Sequence, residues 1–370
     1  MQKSSSASQR ELDEFYRKVM REDFCVRTMT KGAFTQARAK LNHEVFKEID
    51  AVTKRIFYEQ ANHYGWDKFR LLVIDGSTIQ LPQHPSIENE FGVHSFGPNA
   101  DVKKSLARIS LLYDPLNLIT IDAQIGAYSE SETSLCNKHL AHIRQSDLVV
   151  FDRYYASFKL IDSLKEKNAE FVFRMKDNWW KVVEEFQKEQ INDKCVNITT
   201  PYGEQVVRLI KYTYKEEGQM IFCTSLLDQK AYTIEDIAEV YLKRWGIEEE
   251  YKIFKNWSEL ENFSGKTALA VKQDFYAKIF MMNLGSAYAH PIDEKIKKEK
   301  RNYKINRVQI LASTRSLPLM LFIRKKVRKA LKMFDDIISR TIEMVRPDRH
   351  FQRKIRPKLK FNPKSNYKIA

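Results

Sequence analysis

Cysteine is scarce in this chain of 370 residues. Its four cysteines, Cys25, Cys136, Cys195 and Cys223, stand far apart and form no C-x-x-C pair. That spacing argues against a zinc site and against a disulfide framework. It fits reduced, mostly buried thiols in a cytosolic protein. Long apolar runs are missing too. The best, Ile279–Leu284 and Leu317–Ile323, are far too short to span a bilayer. No apolar h-region opens the chain, so secretion is not indicated. There is no internal repeat and no long low-complexity segment, and the opening Ser4–Ser8 reads as frayed.

What is abundant is charge of one sign. The net charge is +15 and the sequence pI is near 9.4. A chain this basic points to a polyanionic partner, nucleic acid ahead of an anionic membrane surface. With 43% hydrophobic residues it can still build a sizeable core. Its length predicts two or three domains.

Residues 10–65 read as helical. Thr30 is positioned to cap a short basic helix running to Leu41. Val45, Phe46, Ile49, Val52, Ile56 and Phe57 then form one apolar stripe. Helices of this size in a basic protein suit a helix-turn-helix-like DNA reader, with Gln36, Arg38 and Lys40 as its exposed polar set. An ordinary helical cap on the next domain fits equally well.

From Phe69 the pattern changes to strands. The run Arg70–Ile74 is apolar on both faces after its first residue, as in a central strand of a covered sheet, and Asp75 interrupts it. A carboxylate inside such a strand is costly unless it is paired, hydrogen-bonded or metal-bound. Residues 84–102 read as a loop. Strands near 107–113 and 118–127, a helix over 132–144, and a second apolar strand from Asp147 to Asp152 follow. A helix over 158–167 and a strand over 170–175 complete a mixed α/β sheet with helical crossovers. Asp147 and Asp177 read as solvent or turn acids. Residues 176–228 form a β-rich insertion. Helices follow, and the end, from Arg346 to Lys368, is a basic tail. The predicted segments are 1–66, helical and DNA-binding; 67–175 and 229–292, the two parts of the α/β core; 176–228, the insertion; and 293–370, helical and basic.

One helix stands apart, residues 241–255. At roughly 100° per residue, Tyr241, Arg244, Glu248 and Lys255 share an arc of roughly 60°, whereas Glu249 and Glu250 point elsewhere. A solvated face with i,i+4 charge pairs would look the same. Gly246 is the weak point, since a break there would upset the phase between Arg244 and Glu248. Asp75, Asp152 and Glu248 are the acids that stand out. Three carboxylates brought together repel one another. Two hard divalent cations, Mg²⁺ or in its place Mn²⁺, resolve that and are suited to phosphoryl transfer.

At these residues the chain resembles the DDE transposases of bacterial insertion sequences, in the subgroup with a Y-x2-R-x3-E-x6-K signature. Tyr241, Arg244, Glu248 and Lys255 meet every gap of it. The blocks around Asp75 and around Trp245 are similar as well. One block departs: where the family has D-R-G-Y, this chain has Asp152-Arg153-Tyr154-Tyr155. The family also carries more helix before the segment matching residues 10–20, so a truncated N-terminal domain is expected.

The resemblance implies a ribonuclease-H-like core and Mg²⁺-dependent cut-and-paste transposition. It implies Asp75, Asp152 and Glu248 as the metal triad. Double-stranded DNA, as transposon ends and target, is the implied partner, bound by a homodimer in the bacterial cytoplasm and nucleoid. Tyr241, Arg244 and Lys255 would hold phosphates, with Trp245 beside them. Trp179 or Trp180 would hold a flipped base, although core packing accounts for both more simply. A DNA-binding relative that no longer cuts, and a structure-specific nuclease on the same fold, are the rival readings. The intact carboxylates oppose the first and the signature opposes the second.

Overall fold

The computed structural model describes residues 8–95, 103–176, 179–214, 218–300 and 302–345. The basic tail after residue 345, the opening serines before Ser8, Asp177 and the turn at 216–217 lie outside the described residues. In chain order the elements begin with α1 (Ser8–Met20), α2 (Lys31–Ala39), α3 (Glu44–Gln60), β1 (Arg70–Gln80) and α4 (Pro85–Phe91). There follow β2 (Leu106–Asp114), β3 (Ile119–Ala127), α5 (Glu132–His139), β4 (Asp147–Phe151), α6 (Phe158–Glu166) and β5 (Glu170–Arg174). Then come α7 (Lys181–Lys188), β6 (Asp193–Thr200), β7 (Gly203–Tyr214), β8 (Gly218–Thr224), α8 (Ile234–Leu242) and α9 (Trp245–Lys252). The chain closes with α10 (Ala268–Glu299), α11 (Arg307–Thr314) and α12 (Val327–Arg340).

Two compact units result. The sheet unit holds Asn62–Thr78 and Arg108–Lys252; the helical unit holds Met1–Ala61, Ile79–Ala107 and Ile253–Ala370.

The sheet has eight strands in the order β3-β2-β1-β4-β5-β8-β7-β6. β1, β4 and β5 are parallel neighbours, linked through helical crossovers that include α5 and α6. Leu71–Ile74 of β1 and Leu148–Phe151 of β4 are fully buried, as strands covered on both faces must be. This is the mixed α/β sheet with flanking helices that the strand pattern predicts. The insertion does not build a sheet of its own. β8 pairs antiparallel with β5, and β7 and β6 extend the same sheet outward. Arg208, fully buried on β7, ties it down: its guanidinium pairs with Asp193 at 2.6 and 2.8 Å and donates to the carbonyls of Leu226 and Tyr232.

In the helical unit α3 packs along α10. The contact differs from the predicted stripe. Ile49, Val52 and Ile56 are exposed, while Asp50 is buried, accepting from Asn283 at 2.8 Å and pairing with Lys54 at 2.7 Å. Phe57 does pack inward, edge-on to His290. The predicted loop at 84–102 begins with α4 instead. Pro85 sits in its first turn, where its missing N–H costs nothing, and the His84 ring accepts from the Ser86 N–H. Thr30 caps α2 as expected, accepting from Ala33 N–H at 3.2 Å. No helix among the described residues is long and apolar enough to cross a membrane.

Candidate functional site

Two strands set the first two carboxylates. The parallel register pairs Leu71 with Leu148 and ends on Ile74 with Phe151. Asp75 and Asp152 each follow the last paired residue and so stand at one level, Asp75 within β1 and Asp152 just past β4. The Asp75 carbonyl accepts the Tyr251 hydroxyl at 2.7 Å and the Ser110 hydroxyl at 3.3 Å, and its Oδ1 accepts the Gly76 N–H at 2.9 Å. Asp152 Oδ1 accepts its neighbour's Arg153 N–H at 2.7 Å and the Tyr241 hydroxyl at 3.4 Å. The turn after Asp152 does not need the family's glycine. Tyr154 is not among the residues with positive φ, and its side chain is 59% exposed.

The third carboxylate comes from a broken helix. A capping box of Thr233 and Asp236 starts α8. The break falls at Lys243–Arg244, where Gly246 and Ile247 N–H groups bond back three residues, at 3.0 and 3.1 Å. It therefore precedes Gly246, which lies inside α9. A Cβ there would stand 2.9 Å from Cβ of Pro115 in the β2–β3 turn, so the glycine serves a close approach. The Arg244–Glu248 pairing survives the break, with Arg244 Nη2 3.1 Å from Glu248 Oε1. The three adjacent glutamates part company as the helical phase predicts: Glu248 is half-buried against Arg244, Glu249 exposed and Glu250 buried. After Lys252 the helix widens into a π-turn over Ile253–Trp257. Lys255 lies in that turn and belongs to the helical unit. Burial pushes its ammonium down, against the pull of Glu261.

Arg244 joins these groups electrostatically. Its Nη1 is 3.8 Å from Asp75 Oδ2, and it is 6% exposed. Burial alone would lower its guanidinium; Tyr241, Asp152, Asp75 and Glu248 outweigh that and raise it. Its Nε is buried and makes no hydrogen bond among the described residues. Burial pushes the Asp75 carboxyl up to about 6, with Asp152 and Glu132 adding to the rise against Arg244 and the Gly76 N–H. Among the described residues no three His, Cys, Asp or Glu side chains are gathered closely enough to hold a metal ion, and Arg244 bridges Asp75 to Glu248.

The remaining predicted residues divide. Trp245 is half-buried, its ring centre 5.5 Å from the Arg244 guanidinium. Trp179 is 38% exposed with Lys176 Nζ 4.2 Å over its ring. Trp180 is buried and stacked on Phe158 at 4.5 Å, so it is a core residue. In the helical unit Gln36 and Lys40 are exposed. Arg38 is not available in the same way: it pairs with Asp274 at 2.8 Å and donates to the Ala270 carbonyl, Gln273 and Ser264. Its fork is satisfied within the unit, which corrects its place in the exposed polar set. Asp147 is corrected too, being buried and doubly bonded to Arg70 at 2.7 and 2.8 Å.

Sequence reasoning missed three participants. Glu132 opens α5 against Gly76, where a Cβ would come within 2.9 Å of its side chain. Tyr251 holds the Asp75 carbonyl from one turn beyond Glu248. Behind Ser110, the buried His139 ring bonds Ser110 at 2.9 Å and Asp122 at 2.6 Å. Only Glu132 had a legible signal, an acid directly after the capping Ser131.

The chain resembles known proteins. Residues 66–284 match the family model described as Transposase DDE domain. A curated protein of Escherichia coli (strain K12), named "Putative transposase InsZ", is 24% identical over 149 residues. That stretch covers 38% of this chain and 48% of the other, so the chain spans about half the length of the curated relative it matches. Among solved structures, the piggyBac transposase in its synaptic complex with hairpin DNA shares 14% identity at a TM-score of 0.47, covering 89% of this chain and 70% of its own. The Mos1 Strand Transfer Complex shares 12% identity at a TM-score of 0.19, covering 36% and 42%. The family match takes in both aspartate-bearing strands, the broken helix and Glu248, over more than half of the chain: this protein belongs to the DDE transposase family.

Proposed function

We propose that this protein carries out cut-and-paste DNA transposition, cleaving transposon ends and joining them to target DNA, with Asp75, Asp152 and Glu248 as its carboxylate triad. One observation carries the reading. The β1–β4 register brings Asp75, within β1, and Asp152, just past β4, to one level on neighbouring strands, and Arg244 links Asp75 to Glu248.

The donor set is all carboxylate oxygen, which suits Mg²⁺ or Mn²⁺ and not a soft metal. A cation bound beside Asp75 would offset the burial that raises its carboxyl. Bound there, divalent cations supply activation of an attacking oxygen and stabilisation of a leaving one. The chain's own residues do the positioning. Tyr251 and Ser110 fix the Asp75 backbone. Arg244, with a buried Nε–H left over, is suited to a phosphate oxygen beside the scissile bond. Tyr241 orients Asp152. Trp179 offers an exposed ring for an unpaired base, Trp245 flanks Arg244, and Lys255, in the helical unit, is a separate phosphate-binding candidate. Double-stranded DNA is the substrate, and a homodimer bridging two ends is the working assembly.

The test is incubation with DNA carrying candidate terminal inverted repeats and Mg²⁺, reading strand cleavage and joined product. Cleavage that Glu248→Gln abolishes is the expected result. Cleavage without joining would favour a structure-specific nuclease. Binding without cleavage, equal in parent and Glu248→Gln, would sink the catalytic reading.

A further inference from the structure

The helical unit carries a dense group of exposed cations to which no role has yet been given. Lys325, Lys326, Arg328, Lys329 and Lys332 are all exposed. None of the ion pairs formed among the described residues involves them. They surround the start of α12. That helix buries Ala330, Phe334 and Ile338, four residues apart, and packs on α10 and α11. At roughly 100° per residue, Arg328, Lys329 and Lys332 each lie at least about 120° from Phe334, on the outward side. Lys325 and Lys326 lead into the same turn.

Physical chemistry makes this an unfavourable arrangement for an isolated molecule. Like charges so close in sequence lie within about one Debye length, 8–10 Å, and repel. They also crowd the positive end of the helix dipole, where acids are the stabilising choice; the first turn of α12 has none and no side chain caps it. A polyanion relieves both conflicts. The amphipathic face of α12, which a membrane helix would insert, is already used against α10 and α11. Ile323, Val327 and Met333 are nonetheless exposed nearby, which makes an anionic bilayer the rival to separate by experiment.

We infer that the surface formed by Lys325, Lys326, Arg328, Lys329 and Lys332 binds the phosphate backbone of double-stranded DNA, without reading its sequence. The inference rests on the DNA-acting function proposed above and adds to it a second contact region, in the helical unit. The chemistry is that of point charges and one planar fork on phosphate oxygens.

The experiment compares the full chain with a Lys325→Gln/Lys326→Gln/Lys329→Gln variant. Fluorescence anisotropy on a random-sequence duplex is recorded over a salt series, with Ca²⁺ replacing Mg²⁺. Each lost phosphate contact removes about 0.9 from the slope of log affinity against log salt, so the triple variant should be shallower by about 2.7. Its affinity at low salt should fall by at least about tenfold. The single variants Lys325→Gln and Lys329→Gln, each shallower by about 0.9, give the same reading if the triple variant folds poorly. A slope unchanged in the variants, with a parent that binds DNA, overturns the inference alone. A parent that does not bind duplex at all overturns the proposed function and this surface with it. An unchanged DNA slope, with loss of sedimentation on phosphatidylserine–phosphatidylcholine vesicles, overturns the inference in favour of a bilayer.

Discussion

Arg244 and Glu248 form an ion pair of 3.1 Å, four residues apart across the start of α9, and the same guanidinium reaches Asp75 at 3.8 Å. A single buried cation therefore serves two of the three carboxylates. Its removal takes that positive charge from both. Arg244→Ala should destabilise the protein by about 1–3 kcal/mol, below the range for fully buried pairs because both acids keep some solvent access. Urea unfolding measures it. Glu248→Gln added to Arg244→Ala should recover part of the loss, as a double-mutant cycle on a coupled pair requires.

The three adjacent glutamates give a sharper functional contrast. Glu248→Gln should lower Mg²⁺-dependent DNA cleavage by on the order of 10²-fold or more, the scale of losing several kcal/mol of transition-state charge stabilisation. Glu249→Gln, on the exposed side, should stay within about twofold of the parent by the same scale. Equal loss in both variants would remove Glu248 from the triad.

Gly246→Ala tests the close approach to the β2–β3 turn. Helix propensity alone would favour alanine by roughly 1 kcal/mol. The new Cβ, 2.9 Å from Pro115 Cβ, forces a shift that costs about 1–3 kcal/mol. A net fall in thermal stability is expected, and Pro115→Gly in the same chain should relieve the clash. A more stable Gly246→Ala variant would contradict the packing described.

Acid stability should depend on Asp122. Burial alone would raise its carboxyl; the hydrogen bond and charge of His139 and the bond from Gln124 outweigh that and hold it well below the usual range. A depressed folded-state value means stability that is present above the unfolded value, near pH 4, and lost as pH falls toward the folded one. Asp122→Asn should therefore be less stable than the parent at pH 7, with the difference shrinking progressively below about pH 4. Urea midpoints at several pH values give the comparison.

The cysteines offer a check on the fold itself. Cys25 and Cys195 are exposed; Cys136 and Cys223 are buried, and burial pushes both of their thiols up to about 12. A maleimide should modify Cys25 and Cys195 in the native protein, and all the cysteines only after denaturation, read by intact mass.

Much of this was legible because burial writes itself into strands. The runs before Asp75 and Asp152 are apolar on both faces, and only central parallel strands require that. The acids ending them stood out for the same reason. Glu248 was separable from Glu249 and Glu250 because the helix keeps its phase from Arg244 onward. What failed depended on partners distant in sequence. Nothing near Asp147 announces Arg70, nothing near Arg38 announces Asp274, and α3 turns a buried aspartate inward because Asn283 and Lys54 receive it. Gly246 was read as a helix weakness because Pro115, which explains it, lies on the far side of the sheet sequence. The continuation of the sheet from β5 into β8 was also hidden, since alternation marks a strand without naming its neighbour.

The ladder between β1 and β4 has a mechanical consequence. The relative level of Asp75 and Asp152 is set by the ladder between two interior strands and not by the turn that follows Asp152. That turn can therefore change composition, as at Tyr154, without moving the two carboxylates apart. A one-residue slip of the ladder would turn one aspartate to the opposite face, so the site is either in register or absent, with no graded state between.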